Sequence, residues 1–341
     1  PAGSSAALSA ACRGARVLMA ERKAVVGKPI RCAEYIPAPL LGEVGPGRDF
    51  VVQGVRGMRT ILPDGEEKTI RTPGFMIARD LFDQALCRAA RDAGAGLLLD
   101  TRVISWKDGR VLVRQRGGDP GEIRARVVIG ADGPHTTVGR WIDSVNRSLI
   151  PAVQVRVPLV NSMDFTEVHF QRSFYGGYGW LFPRGREANV GLGIKRVSGG
   201  EVRLCEALDR FVVQLEEKGR VRNQVLCRAA GWIPAEALRR VVKGPFMLVG
   251  DAAGHTHPVT GAGVFQAVTG GAMAGRWAVR SLQEQDPDLL TGYEEEWRDL
   301  FAESHERGFR RRQLLEKEWG RLSEVVKRCW VAFREYYGND G

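Results

Sequence analysis

The sequence predicts an α/β fold: a Rossmann-like dinucleotide domain interrupted by an antiparallel β-sheet domain and followed by C-terminal helices. Three observations carry this. Phe246–Val249 is a short apolar run that ends in Gly250-Asp251, a loop rich in Gly, Thr and Pro, and a small-residue helix to about Leu282. Val127-Val128-Ile129 is a second such strand, running into Gly130-Ala131-Asp132-Gly133. Between them, residues 146–243 change to short runs separated by turn signals, as an antiparallel sheet requires.

At the start, Pro1-Ala2-Gly3 reads as the end of a glycine turn of the G-x-G-x-x-G kind. Ser4–Arg13 suits a helix packed tightly on a sheet, and Arg16–Ala20 a strand with Glu21 at its tip. An acid about 20 residues beyond such a turn hydrogen-bonds an adenosine ribose. The first strand and first two glycines of this unit are not in the sequence, so the expectation is a piece of a longer protein. A segment of about residues 31–75 departs from the dinucleotide pattern, and Val44–Pro73 holds short strands with a turn at Pro63-Asp64-Gly65. Arg79–Ala93 is an amphipathic helix with Leu81, Phe82, Ala85, Leu86, Ala89 and Ala90 on one face and Gly94 as cap.

Leu97–Leu99 is a strand. Val103–Trp106, Val111–Arg114 and Ile123–Arg126 form a meander, and a helix starts at Thr136. Val153–Pro158, Glu167–Ser173, Gly179–Phe182 and Ala188–Ile194 are the strands of the second domain, with a helix over Glu201–Lys218. From Leu289 to Tyr337 the pattern is helical. Tyr293, Trp297, Leu300 and Phe301 share one face; Leu322, Val325, Val326, Trp330 and Phe333 share another. The domains are therefore residues 1–145, 146–243, 244–285 (the return of the first domain) and 286–341.

Composition sets limits. With 341 residues, 44% hydrophobic and 26% charged, the chain is an ordinary globular one of one or two domains. No apolar run of eighteen is present, so no membrane-spanning helix is expected. Six scattered cysteines without a CxxC pair fit a reducing cytoplasm. The net charge is +10, and residues 101–200 hold fifteen Lys and Arg against eight Asp and Glu. No nucleic-acid motif accompanies this excess, so anionic lipid heads or a phosphorylated substrate are the better partners and nucleic acid is not expected.

The Phe246–Gly271 stretch is a design for an anion. Glycines allow close backbone approach, and unpaired helix N–H groups carry partial positive charge. Asp251 cannot bind a phosphate and needs a hydroxyl partner. A ligand with hydroxyls beside phosphates points to FAD rather than NAD. Trp180 and Phe182 alternate on a strand and share a face, with Tyr178 in the same parity; core packing and the wall of an apolar tunnel are both open readings. His255 and His257 make an H-x-H in the glycine loop, too few ligands for a metal.

On four features the chain resembles the geranylgeranyl reductase family of FAD-dependent oxidoreductases. They are Pro1-Ala2-Gly3 with Glu21, Ala131-Asp132-Gly133, Gly250-Asp251 with Gly261-Ala262-Gly263, and Tyr178-Gly179-Trp180-Leu181-Phe182-Pro183. The first three are similar to FAD enzymes of the para-hydroxybenzoate hydroxylase type, and the YxWxFP element to prenyl reductases. Cys32-Ala33-Glu34 is similar to the family's Cys-Gly-Glu, with an Ala where positive φ would be costly.

The resemblance implies cofactor contacts from Pro1, Ala2, Gly3, Glu21, Arg22, Arg79, Asp132, Gly133, Gly250, Asp251, Gly261, Ala262 and Gly263. Glu21 would bind the adenosine ribose, Asp251 the ribityl chain, Arg79 the phosphates, and Asp132 would lie near the pyrophosphate or simply cap its helix. Tyr178, Trp180 and Phe182 would line the prenyl site, with Cys32 and Tyr178 as catalytic candidates.

The implied activity is saturation of carbon–carbon double bonds in a geranylgeranyl chain of a lipid, quinone or chlorophyll-type precursor. Electrons would come from ferredoxin, NAD(P)H or reduced flavin. A flavin monooxygenase, a quinone-linked dehydrogenase and a non-catalytic prenyl-lipid-binding protein are the other readings. The expected location is cytoplasmic, peripheral on the inner face of the membrane.

Overall fold

A computed structural model describes residues 1–43, 47–195, 203–237 and 240–338. The first unit begins with α1 (Ala2–Ala11), two residues earlier than the Ser4 start expected. The strand β1 (Leu18–Ala20) follows. After an excursion through β2 (Tyr35–Pro37), α2 (Leu40–Glu43), β3 (Val51–Val55), β4 (Gly57–Ile61), β5 (Glu67–Ile70) and β6 (Gly74–Ile77), the chain returns as α3 (Arg79–Asp92) and β7 (Gly96–Leu98). β1 and β7 pair in parallel. The strands expected over Val44–Pro73 are β3 to β5; residues 44–46 lie outside the described residues.

α3 buries Phe82, Leu86, Cys87 and Ala90. Leu81, placed on the same face from sequence, is 41% exposed, because the buried stripe lies one position round the helix. Gly94 caps it with φ +100°. The meander is β8 (Thr101–Lys107), β9 (Arg110–Gln115) and β10 (Pro120–Arg124), the last starting three and ending two residues earlier than expected. β11 (Val128–Gly130) leads to α4 (Thr137–Trp141), whose N-cap Thr136 accepts from the Gly139 N–H at 2.9 Å.

The second sheet has seven strands. β12 (Leu149–Pro158), β13 (Phe165–His169), β14 (Tyr178–Arg184), β15 (Glu187–Gly193) and β16 (Cys227–Pro234) join β4 and β5 in the order β16-β12-β15-β14-β13-β4-β5. The sheet is thus not contained in residues 146–243, and it is not wholly antiparallel: β13 runs parallel to β4, Phe165 facing Gly57. The helix α5 (Leu204–Glu217) covers one face, packing Leu208, Phe211 and Leu215 on Val155, Leu181 and Val190. Of the helix expected over Glu201–Lys218, residues 201–202 lie outside the described residues.

β17 (Val242–Lys243) and β18 (Phe246–Leu248) return to the first unit, where β18 runs parallel to β11. Then come α6 (Val264–Glu284), α7 (Thr291–Lys317) and α8 (Leu322–Cys329). The apolar face expected around α8 is buried throughout: Leu322, Val325, Val326, Trp330 and Phe333 pack on Val168 and Phe170 beneath the sheet. Trp330 Nε1 donates to Thr60 Oγ1 at 2.9 Å, which ties this end to β4. On α7, Tyr293 and Trp297 are buried but Leu300 is 60% exposed.

Candidate functional site

Three distant motifs converge at the first turn of α1. A side-chain carbon on Gly3 would lie 3.1 Å from Ala131 Cβ, and one on Gly250 would lie 3.1 Å from Ala2 Cβ. One on Gly271 would lie 2.3 Å from the Ala2 carbonyl, so α1 and α6 touch backbone to backbone and only glycine fits there. Neither α1 nor α6 has a side-chain cap, so the N–H groups of both first turns are open to an acceptor.

Asp251 sits between these ends. Burial pushes its carboxyl up, while Arg79 and a 3.2 Å bond from Thr256 Oγ1 favour the charge. Gly263, the N-cap of α6, lies beside both: a side-chain carbon there would be 3.6 Å from Asp251 Oδ1. Burial works against the charge of Arg79, but Asp83, at 3.0 Å from its Nε, and Cys32 more than offset it, and its pKa rises. The arrangement is a buried carboxylate, a buried guanidinium and two open helix ends. It fits a ligand with a pyrophosphate and a polyol, and these residues could hold FAD.

The outlying members are placed less tightly. Glu21 stands at the end of β1 and its Oε1 accepts from the Lys23 N–H at 3.0 Å; Arg22 is exposed. Asp132 is exposed, and its Oδ2 accepts from the Thr137 N–H at 2.5 Å. In this structure it caps α4, the simpler of the two readings. Gly133 has φ +85° at that turn.

The YxWxFP strand faces the glycine loop. Tyr178 and Trp180 line a cavity of about 30 Å³ with Gly261, Ile233 and Arg312. That is room for a water molecule; an isoprenoid unit enters only if the walls move. Trp180 lies against Gly191 on the next strand, where a side-chain carbon would meet its ring at 2.2 Å. Tyr178 Oη donates to the Thr260 carbonyl, pinning the loop to β14. Burial pushes the Tyr178 phenol well up, opposed by Arg312, so it stays protonated. Phe182 has the expected parity but is not on this cavity. It meets Tyr35 edge-on at 6.3 Å and packs with the α8 cluster.

Sequence reasoning gave no role to two charged residues, Glu34 and Arg312. Glu34 is fully buried, with Oε2 accepting from Arg156 Nη2 at 2.9 Å, Arg184 Nε at 3.0 Å and Asn189 Nδ2 at 2.9 Å. Its Oε1 accepts from the Arg79 N–H at 3.0 Å. One carboxylate thus joins the start of α3 to the sheet. In this Cys-Ala-Glu segment the positive φ falls on Glu34, at 71°, and not on Ala33. Cys32 is half-buried, its Sγ accepts from the Glu34 N–H at 3.2 Å, and its carbonyl accepts from Gln154 Nε2 at 2.8 Å. The signal was available: Gln154 and Arg156 alternate with valines in a strand buried on both faces.

The second of these is Arg312 of α7. It donates to the Pro258 carbonyl at 2.9 Å and the Gly176 carbonyl at 2.7 Å, and pairs with Glu316 at 3.0 Å. It therefore bolts the glycine loop to the turn before β14.

His255 and His257 turn away from this cavity toward α7. His255 stacks on Trp297, with ring centres 3.8 Å apart. Thr260 N–H donates to His257 Nδ1 at 3.3 Å, which leaves the proton on Nε2, 3.0 Å from Tyr336 Oη. Among the described residues no cluster could hold a metal ion.

Comparison with known proteins gives consistent likenesses. The geranylgeranyl reductase catalytic domain family matches residues 151–232. The digeranylgeranylglycerophospholipid reductase of Methanothrix thermoacetophila is 32% identical over 324 residues, 88% of this chain and 81% of that protein. The crystal structure of a geranylgeranyl bacteriochlorophyll reductase-like protein from Thermoplasma acidophilum matches with a TM-score of 0.84 at 26% identity, covering 97% of this chain and 94% of that one. A halogenase, PltM, solved with FAD, shares the fold alone: TM-score 0.70 at 13% identity, covering 98% of this chain and 83% of that one.

Proposed function

The chain belongs to the geranylgeranyl reductase family, and from that premise we propose that it is an FAD-dependent oxidoreductase saturating carbon–carbon double bonds in the geranylgeranyl chains of a lipid. The observation that carries this reading is one cavity wall shared by Gly261 of the glycine loop and by Tyr178 and Trp180 of the YxWxFP strand. FAD, when bound, supplies the hydride chemistry. The protein's residues do the rest. Asp251 accepts from hydroxyls of the cofactor's polyol, Arg79 and the open ends of α1 and α6 balance its phosphates, and Trp180 gives an apolar wall for the chain. Tyr178 holds a proton at Oη beside that wall.

The substrate follows the named relative: a phospholipid with two geranylgeranyl chains, collected at the inner face of a bilayer. Among the described residues no helix is long and apolar enough to cross a membrane. Electrons reach the cofactor from ferredoxin, NAD(P)H or a reduced flavin.

The test is anaerobic incubation of the FAD-loaded protein, chemically reduced, with digeranylgeranylglycerophospholipid, followed by mass analysis. Gains of two hydrogens per bond are expected. Unchanged lipid in a reduced, folded, FAD-loaded sample would overturn the reading. Repeating the assay with each donor in place of the chemical reductant identifies the donor.

A further inference from the structure

We propose that the outward face of the β8–β9–β10 meander is a docking surface for the anionic headgroups of a lipid bilayer. The proposal rests on the reading of the substrate as a lipid. Strand alternation sorts the meander's side chains. Val103, Trp106, Val111 and Val113 face inward, where Trp106 meets Phe246 edge-on at 5.1 Å. Arg102, Lys107, Arg110, Arg114 and Arg124 face outward, and all five are exposed.

The register stacks like charges. Arg102 lies directly opposite Arg114, and Arg110 sits between Lys107 and Arg124. Such pairs weaken a sheet. The acid on that face is Glu122, which pairs with Arg110 at 2.6 Å. Among the described residues Arg102, Lys107, Arg114 and Arg124 have no carboxylate partner. A fold that carries this repulsion on one face is compensated when a polyanion lies against it.

The shape selects the polyanion. Neighbouring strands lie about 4.8 Å apart, and Arg110 and Arg114 about 13 Å apart along their strand, so the cations are spread in two directions over one face rather than along a line. A bilayer surface presents anionic groups spread in two directions. Single-stranded nucleic acid is held by aromatic stacking in a groove, and this face presents no aromatic ring.

The test is co-sedimentation of the full chain with phosphatidylcholine vesicles, with and without phosphatidylglycerol, at low and high salt. The unaltered protein should bind the anionic vesicles only, and less at high salt. The double variants Arg102→Gln/Arg114→Gln and Lys107→Gln/Arg124→Gln should each partition about thirtyfold more weakly. Both should retain reductase activity on detergent-dispersed substrate, since none of these residues lines the cavity. Equal partition by parent and variants, or displacement by duplex DNA at lower phosphate concentration than the vesicles, would overturn the proposal. Vesicle binding by a protein that reduces no lipid would leave this surface standing and remove the reading of the activity.

Discussion

Lowering the pH should unfasten the glycine loop through His257. In the fold this imidazole is buried, and its pKa falls from about 6.5 to about 4, chiefly by burial and secondarily by His305 and Arg307. A base whose pKa is depressed on folding contributes stability that is complete above its unfolded value. That stability is lost as the pH falls through its folded value. The window is therefore from pH 6.5 down to about 4. A shift of that size corresponds to about 3 kcal/mol, at roughly 1.4 kcal/mol per unit. The chemistry is local. A second proton must go to Nδ1, which accepts from the Thr260 N–H, and the Thr260 carbonyl holds Tyr178.

The assay is urea unfolding at pH 7 and pH 4.5 for the parent and for His257→Gln, which cannot titrate. Carboxylates titrate in both proteins and cancel in the difference. The parent should lose about 2–3 kcal/mol more than the variant on acidification. Equal losses would refute the argument and mean that His257 is solvated or already charged.

Other outcomes follow from the same geometry. Asp251→Ala should weaken FAD binding by about 1.5–3 kcal/mol, read by flavin titration, since a charge-assisted hydrogen bond is removed; unchanged affinity in a folded variant would reduce Asp251 to a turn residue. Glu34→Gln should destabilise the protein by about 3–5 kcal/mol, because Arg156 and Arg184 lose their shared carboxylate; urea midpoints check it, and a loss under 1 kcal/mol would contradict it. Trp180→Ala should leave the flavin spectrum normal and change how many double bonds are reduced, whereas Phe182→Ala should lower stability with product distribution intact. The reverse pattern would put Phe182, not Trp180, on the substrate. Arg312→Met should lower turnover and weaken FAD binding together, with partial recovery in Arg312→Lys; full activity in Arg312→Met would show that the bolt between loop and sheet is dispensable.

The strands and loops around the proposed cofactor site were legible because their signals are local. A β-branched run into Ala131-Asp132-Gly133, or Phe246–Leu248 into Gly250-Asp251, declares itself within ten residues. β16 was not legible. Its sequence, CRAAGWIP, lies at the edge of the sheet with alternating exposure and little apolar content. Nor was the recruitment of β4 by β13, since the pairing of Gly57 with Phe165 leaves no trace in either segment alone. Leu81 and Leu300 show the limit of helical periodicity, which finds the stripe but not its exact centre. Glu34 and Arg312 were hidden because a charged residue reads as surface until its partners, Arg184 or the Pro258 carbonyl, are known to surround it.

The backbone contact between α1 and α6 has a consequence for biosynthesis. The two helices that close the cradle lie more than 250 residues apart in the chain, and each needs the other's backbone for packing. All seven strands of the second sheet lie between them in sequence and are synthesised before α6. Synthesis at about 5–20 residues per second therefore leaves α1, with its run of alanines, without its partner for roughly ten seconds or more. Arg312, which lines the cavity, and the α8 cluster, which packs beneath the sheet, come later still. On the cofactor site proposed above, capture of FAD is a late event, and a ribosome stalled before residue 264 should hold a chain that added FAD cannot rescue.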